Sequence, residues 1–350
     1  MNPTDFLANL GARHNFCDLG DPESELRNAR SATILVPLVD MGVIEISGDD
    51  ATSFAHNLLT NDINKLAPDD ACHAGFCTAK GRLLASLLAW RSDTGLRLVL
   101  PTDLLASIQK KLSMYVLRAK ALVQDISPRV VLLGLSGPDA ANALAAIGVG
   151  PLGVLKLGQF DDGTVIRLGG ERYLLALTAE AAASVWQKLA GLAQPAGLDA
   201  WHWLEILAGM PRITAATQEA FVPQMVNFEL LGGVSFTKGC YPGQEIVARS
   251  HYLGKVKRRM FRASVQGEVT GAVSGASLFC PQTAEQSCGT IVQAAPSPMG
   301  GKELLAVIQT DCFEAGDVHL ASLSGPILRF LPLPYALESS SPASPVDPAT

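Results

Sequence analysis

The sequence predicts an α+β protein: two related α+β lobes followed by a small antiparallel β-barrel. Three observations carry that prediction. A strand, a turn and an Asp-capped helix follow one another at 44–59 and again at 131–147, which is the mark of a repeated supersecondary unit. Beyond position 255 short apolar runs alternate with Gly and Pro turns, as in small barrels and sandwiches. A chain of 350 residues, 48% hydrophobic and 17% charged, is also longer than one ordinary core accommodates.

Taken in order, residues 1–30 read as a polar, irregular N-terminal arm with a turn at 20–23. The first lobe, 31–127, opens with strands at 34–39 and 42–47, and Gly48-Asp-Asp50 caps a helix over 51–59 with Phe54, Leu58 and Leu59 on one face. A polar loop at 60–64 precedes strands at 71–78 and 83–90, joined through Lys80-Gly81-Arg82, and a third strand at 96–100. Pro101 opens a helix to about 115 with Leu104, Ile108 and Leu112 on its apolar face, and a strand at 121–126 closes the lobe. The second lobe, 128–254, holds strands at 130–135, 164–168 and 173–177 and helices at 139–147, 179–192 and, rich in Trp, 200–209. Strands at 260–265, 276–279, 289–292, 304–308 and 327–331 build the barrel, 255–337, and the Ser- and Pro-rich stretch 338–350 reads as a disordered tail.

Composition narrows the function. The apolar runs are too short or interrupted to cross a bilayer, and the N-terminus lacks a basic region followed by an apolar core. Membrane insertion and export are not expected. Seven widely spaced cysteines are an odd count in a chain that folds without staples, so they read as reduced cytoplasmic thiols. No second pair or paired histidines complete a metal site around Cys72 and Cys77. A net charge of −6 argues against wholesale nucleic-acid binding and leaves room for a local basic patch. The chain is read as a monomer.

The stretch 235–249 concentrates the chemistry. Gly239 and Gly243 free the backbone, and Pro242 suits the start of a helix through Gln244, Glu245 and Val247. Cys240 then sits ahead of a helix N-terminus with Lys238 two residues upstream, a setting that favours a thiolate. The competing reading is a buried cysteine in a tight turn.

The segments Phe221-Val-Pro-Gln-Met-Val-Asn-Phe-Glu229, Leu231-Gly-Gly-Val-Ser-Phe236 and Lys238-Gly-Cys-Tyr-Pro-Gly-Gln-Glu-Ile-Val-Ala-Arg249 resemble the YgfZ family. That family is related to the aminomethyltransferase (T-protein) of the glycine cleavage system. The likeness extends from 34 to 338 through Val43-Ile-Glu-Ile-Ser-Gly-Asp-Asp-Ala51, Leu59-Thr-Asn-Asp62, Thr78-Ala-Lys-Gly-Arg82 and Leu331-Pro-Leu-Pro-Tyr-Ala-Leu-Glu338. It implies a GcvT-like folate-binding module closed into a three-lobed ring, with the cysteine loop near a central folate cavity. It implies a folate-binding accessory protein, taking tetrahydrofolate or a related folate, that serves iron–sulfur client enzymes or assembly factors and thereby tRNA modification. Cys240 is then the functional thiol, with Lys238 beside it. Trp201, Asn61, Asp62, Tyr241, Gln244, Glu245 and Arg249 are the expected folate contacts.

The chain also departs from its relatives. Ala85 and Ser86 stand where the T-protein carries the carboxylates that manage the amine in one-carbon transfer. Leu207 replaces a Glu expected to pair with the pterin, Glu205 lies about 200° round the helix from it, and Met41 replaces a Trp. Two other readings therefore stand beside the first: a tetrahydrofolate-dependent aminomethyl- or methyltransferase, and an RNA-binding factor using Arg249, Lys255, Lys257, Arg258, Arg259 and Arg262. That basic run otherwise receives folate carboxylates or protects a strand edge. His251 is either a base near the thiol or a structural histidine, and Trp201 and Trp203 cannot face the same way on one helix.

Overall fold

The computed structural model describes residues 16–252, 256–267 and 269–337. The tail from 338 and Lys255 of the basic run lie outside them. Three sheets organise the chain.

The first sheet runs Ala71–Cys77, Leu83–Ser92, Gly95–Pro101, Met41–Ser47, Leu122–Asp125, all antiparallel. Helix Thr102–Tyr115 covers it with Leu104, Ile108 and Leu112, the face its 3.6-residue period predicts. The second sheet runs Gln194–Pro195, Ile34–Pro37, Val130–Ser136, Arg172–Thr178, Gly163–Gly169, Leu157–Phe160. Here the structure corrects the lobe boundary. Strand Ile34–Pro37, read as part of the first lobe, pairs with Val130–Ser136 of the second. Its residues alternate between two cores: Leu35 enters the second core, while Ile34 and Val36 enter the large core shared by all three sheets. A strand buried on both faces takes the position that covers both.

The third sheet is antiparallel and six-stranded: His319–Leu320, Ser277–Phe279, Ser287–Pro296, Lys302–Gln309, Arg258–Val265, Arg329–Leu331. It is a half-barrel, because its edge strands of two and three residues do not pair with each other. Along Lys302–Gln309, Leu304, Ala306 and Ile308 fill the sheet's own core, whereas Leu305 and Val307 face the shared core, as a period of two requires.

The N-terminal arm is not irregular where it is described. Pro22–Ser31 is a helix: Asp21 caps Ser24 N–H at 3.1 Å, and the Glu25 carboxylate reaches back to the N–H groups of Leu19 and Asp21. Proline at N1 with this reciprocal capping converts the expected turn into a helix start.

Helix Leu198–Leu207 is the axle between the sheets. Trp201 lies so close over Gly134 of the second sheet that a Cβ there would meet its ring at 2.5 Å. Trp203 turns the other way and donates its indole N–H to Glu303 of the half-barrel at 3.0 Å. Both rings are buried, and Trp201 is among the residues that line the cavity between the first two sheets. Helix Gln244–Tyr252 is joined to the first lobe where Gly243, at φ +81°, meets the backbone of Thr78 and Gly81. A Cβ on Gly243 would stand 2.4 Å from the Thr78 carbonyl oxygen. Gly243→Ala is therefore expected to lower unfolding free energy by about 2–4 kcal/mol in urea titration. Gly271→Ala, where nothing lies within 4 Å, should stay within about 0.5 kcal/mol of the parent.

Candidate functional site: an interlobe cavity and a separate thiol loop

Between the first two sheets lies an open-mouthed cavity of about 80 Å³. Its walls are largely apolar: Leu38, Met41, Leu87, Leu88, Val99, Leu174, Trp201, Met210 and Phe228 contribute. The polar lining is small and specific, namely His73, Ser86, Arg172, Glu205 and Arg212. Burial, aided by the Arg172 charge, pushes the His73 imidazole down to about 4, so the ring is neutral at physiological pH. The Ser86 hydroxyl oxygen accepts the Ile213 N–H at 3.1 Å.

Arg212 belongs to a half-buried network with Asp40, His202 and Glu205. Its guanidinium bonds the Asp40 carboxylate, His202 Nε2 sits 2.7 Å from the same oxygen, and Glu205 lies 3.6 Å from Arg212. Burial alone would raise the Asp40 pKa; the hydrogen bond from His202 and the Arg212 charge outweigh it and hold the carboxyl below its usual range. A second cleft, bordered by Asp103, Thr214 and Gln293, shares Pro101, Glu205 and Arg212 with the first.

Of the residues read as folate contacts, Trp201 lines this cavity; Asn61, Asp62, Tyr241, Gln244, Glu245 and Arg249 do not. Asn61 is committed elsewhere, donating from Nδ2 to the carbonyls of His73 and Gly232 at 2.7 Å each. With Thr60, whose hydroxyl bonds Gly233 O and Gly75 N–H, it stitches the 232–235 segment to the first sheet. Asp62 sits 3.2 Å from both His56 and Lys65. Glu205, set aside in the sequence for its angle from position 207, lines the cavity, and Leu207 packs against the core outside the cavity lining. His73, Arg172 and Arg212 were missed. Arg172 was legible in principle: it shares strand parity with Leu174 and Ala176, which face the shared core, while Tyr173, Leu175 and Leu177 face the other.

The cysteine loop is a separate site, and no residue of 235–252 lines either cleft. Cys240 is exposed, with helix Gln244–Tyr252 starting four residues later. Lys238, expected as a free cation beside the thiol, is buried. Its ammonium bonds the carbonyls of His56 and Leu59, the latter at 2.5 Å, and lies 4.8 Å over the Tyr241 ring. Burial pushes its pKa down to about 8, against the pull of Asp62 and Cys240. Burial also raises the Tyr241 phenol. Gln244 Nε2 reaches Lys238 O at 3.5 Å and closes the loop, while Glu245 and Arg249 point to the exposed side. His251 stacks on Phe236 at 3.8 Å and 14°, which accounts for it structurally. Two members of the basic run are engaged: Arg259 pairs with Glu229, and Arg262 with buried Glu303 at 2.5 Å.

The fold is shared with known proteins. Residues 19–150 match the GCVT N-terminal domain family. The aminomethyltransferase T of the glycine cleavage system from Bartonella henselae superposes with a TM-score of 0.65 at 20% identity, covering 88% of this chain and 87% of its own. The fold is thus the GcvT-like fold. At the level of sequence, the "tRNA-modifying protein YgfZ" of Yersinia pestis (strain Pestoides F) is 31% identical over 308 residues, spanning 87% of this chain and 92% of the relative. Its namesake from Klebsiella pneumoniae (strain 342) is 30% identical over 332 residues, or 91% and 98%. The chain belongs to the YgfZ family. Among the described residues no helix is long and apolar enough to cross a membrane.

Two outcomes follow. Cys77, Cys280, Cys288 and Cys312 are buried, Cys17 and Cys72 half-buried, and burial pushes the thiols of Cys72 and Cys77 up to about 12. Native-state alkylation with iodoacetamide, read by mass spectrometry, should modify Cys240 at least about tenfold faster than the other six. Lys238 has a folded pKa of about 8 against an ordinary 10.5, so the unfolded chain holds more protons between those values and stability rises with pH across them. The stability difference between wild type and Lys238→Met should be flat below pH 8 and move in favour of the wild type from 8 to 10.5.

Proposed function

We propose that this protein is a cytoplasmic folate-binding accessory factor that supports iron–sulfur enzymes, and through them tRNA modification, with Cys240 as its essential thiol. The cavity carries the folate half of this reading. A planar heterocycle needs apolar walls with a few fixed polar groups, and the interlobe cavity offers Met41, Trp201 and Phe228 together with Glu205, Arg172 and neutral His73. A reduced folate would be held by those groups and supplies a one-carbon carrier when bound. The thiol half rests on family resemblance and on the exposure of Cys240 in a loop whose flanking residues are buried. Exposed thiolates are the groups that engage iron–sulfur clusters and their precursors. The relatives' printed name, tRNA-modifying, fits a role upstream of tRNA-modifying enzymes.

The transferase alternative lacks its acid. Ala85 is fully buried, and Ser86 presents to the cavity a hydroxyl that already accepts a backbone N–H. Neither takes up a proton near neutral pH. The RNA-binding alternative loses Arg259 and Arg262 to ion pairs.

One preparation tests both halves. Titration with 5-formyltetrahydrofolate should quench tryptophan emission, and the same sample should turn over aminomethylated lipoyl carrier at least about 10²-fold more slowly than a T-protein. Cys240→Ala should retain folate binding and melting temperature yet fail to restore iron–sulfur enzyme activity in cells lacking the protein. Full restoration would remove the thiol from the proposal.

A further inference from the structure

Arg172 is 8% exposed and lies at the cavity wall, yet it has no hydrogen-bond acceptor and no ion pair among the described residues. The other enclosed arginines do not behave this way: Arg212 holds Asp40, Arg259 holds Glu229 and Arg262 holds Glu303. A buried guanidinium without a partner is costly, and burial lowers the Arg172 pKa, with Glu205 the charge opposing that shift. Its nitrogens are not sealed into the protein as orphans either; they open on the cavity. The backbone places it there. Arg172 opens strand Arg172–Thr178, paired with Ser136 on one side and Gly169 on the other, and takes the inward parity of Leu174. Neutral His73 in the same wall supplies no counter-charge.

We propose that Arg172 is the ligand anchor of the cavity and that, with Glu205, it selects a ring presenting a carbonyl oxygen beside N–H donors over one with an amino group in place of that oxygen. The proposal rests on the folate reading and specifies which edge of the ligand is read. A guanidinium offers only donors, in a planar fork; a carboxylate offers only acceptors. A free carboxylate or phosphate would satisfy Arg172 and be repelled by Glu205. The 2-amino-4-oxo edge of a pterin answers both, its oxygen to Arg172 and its N–H groups to Glu205. A 2,4-diaminopteridine sets a donor against the donors of Arg172, and the site then leaves buried polar groups unpaired.

Folic acid and aminopterin differ at that one substituent, so the pair is the probe. Affinities are measured by calorimetry for wild type, Arg172→Met and Arg172→Lys, with melting temperatures to establish folding. Wild type should prefer folic acid by about tenfold to a hundredfold. Arg172→Met should bind folic acid more weakly and lose the preference, and Arg172→Lys should retain part of it. Wild type binding both ligands equally, or a folded Arg172→Met that keeps the preference, overturns the assignment of Arg172 while leaving folate binding standing. Wild type binding neither ligand, nor reduced folate, overturns the folate reading itself and this inference with it.

Discussion

The Lys238 ammonium sits where the chain leaves helix Ala51–His56, taking the His56 and Leu59 carbonyls as acceptors. Carbonyls at a helix C-terminus carry partial negative charge and lack intrahelical donors, so they suit a cation. The contact decides what the cysteine loop can do. With Lys238 and Tyr241 turned inward and the ring of Tyr241 against the ammonium, the two residues between them are forced outward. Gly243 and Gly81 add a backbone contact that no side chain tolerates. The loop is therefore clamped at both ends to the first lobe, and Cys240 is displayed at a fixed place.

The interlobe cavity obeys a different constraint. Its apolar wall depends on helix Leu198–Leu207, whose two tryptophans grip opposite sheets: Trp201 on Gly134, Trp203 on Glu303. Glu303 also accepts from Ser297 and Arg262, so the carboxylate that orients the helix is itself fully engaged. Glu205 emerges from that fixed helix into the cavity. The 60–62 loop borders both regions, through Asn61 on the His73 carbonyl and through Asp62 beside His56. It connects the two sites without belonging to either.

Much of the architecture was legible because it is written in local periodicity. The face of Leu104, Ile108 and Leu112 and the alternation in the strands of the half-barrel both follow from residue spacing. Pairing over long sequence distance is not written there, so strand Ile34–Pro37 was assigned to the neighbouring lobe rather than to Val130–Ser136. The thiol was legible through Gly239, Gly243 and Pro242, but not the destination of Lys238, since the carbonyls that capture it lie about 180 residues away. Arg172 escaped notice because it occupies the first residue of its strand, where a charged side chain reads as the end of an element. Glu205 was set aside by its angle from residue 207, an argument that located it correctly on the helix and chose the wrong one of the two as the cavity residue.

The interlobe cavity and the exposed Cys240 thiol are distinct places in one fold. The direct measurement is the rate of Cys240 alkylation in the native protein with and without saturating 5-formyltetrahydrofolate, with tryptophan quenching followed in the same sample to establish occupancy. Quenching is expected to be complete and the alkylation rate unchanged within about twofold, since thiol reactivity follows its own exposure and protonation. Protection of Cys240 by an order of magnitude at the concentrations that quench would contradict that expectation and place the thiol at the bound ligand.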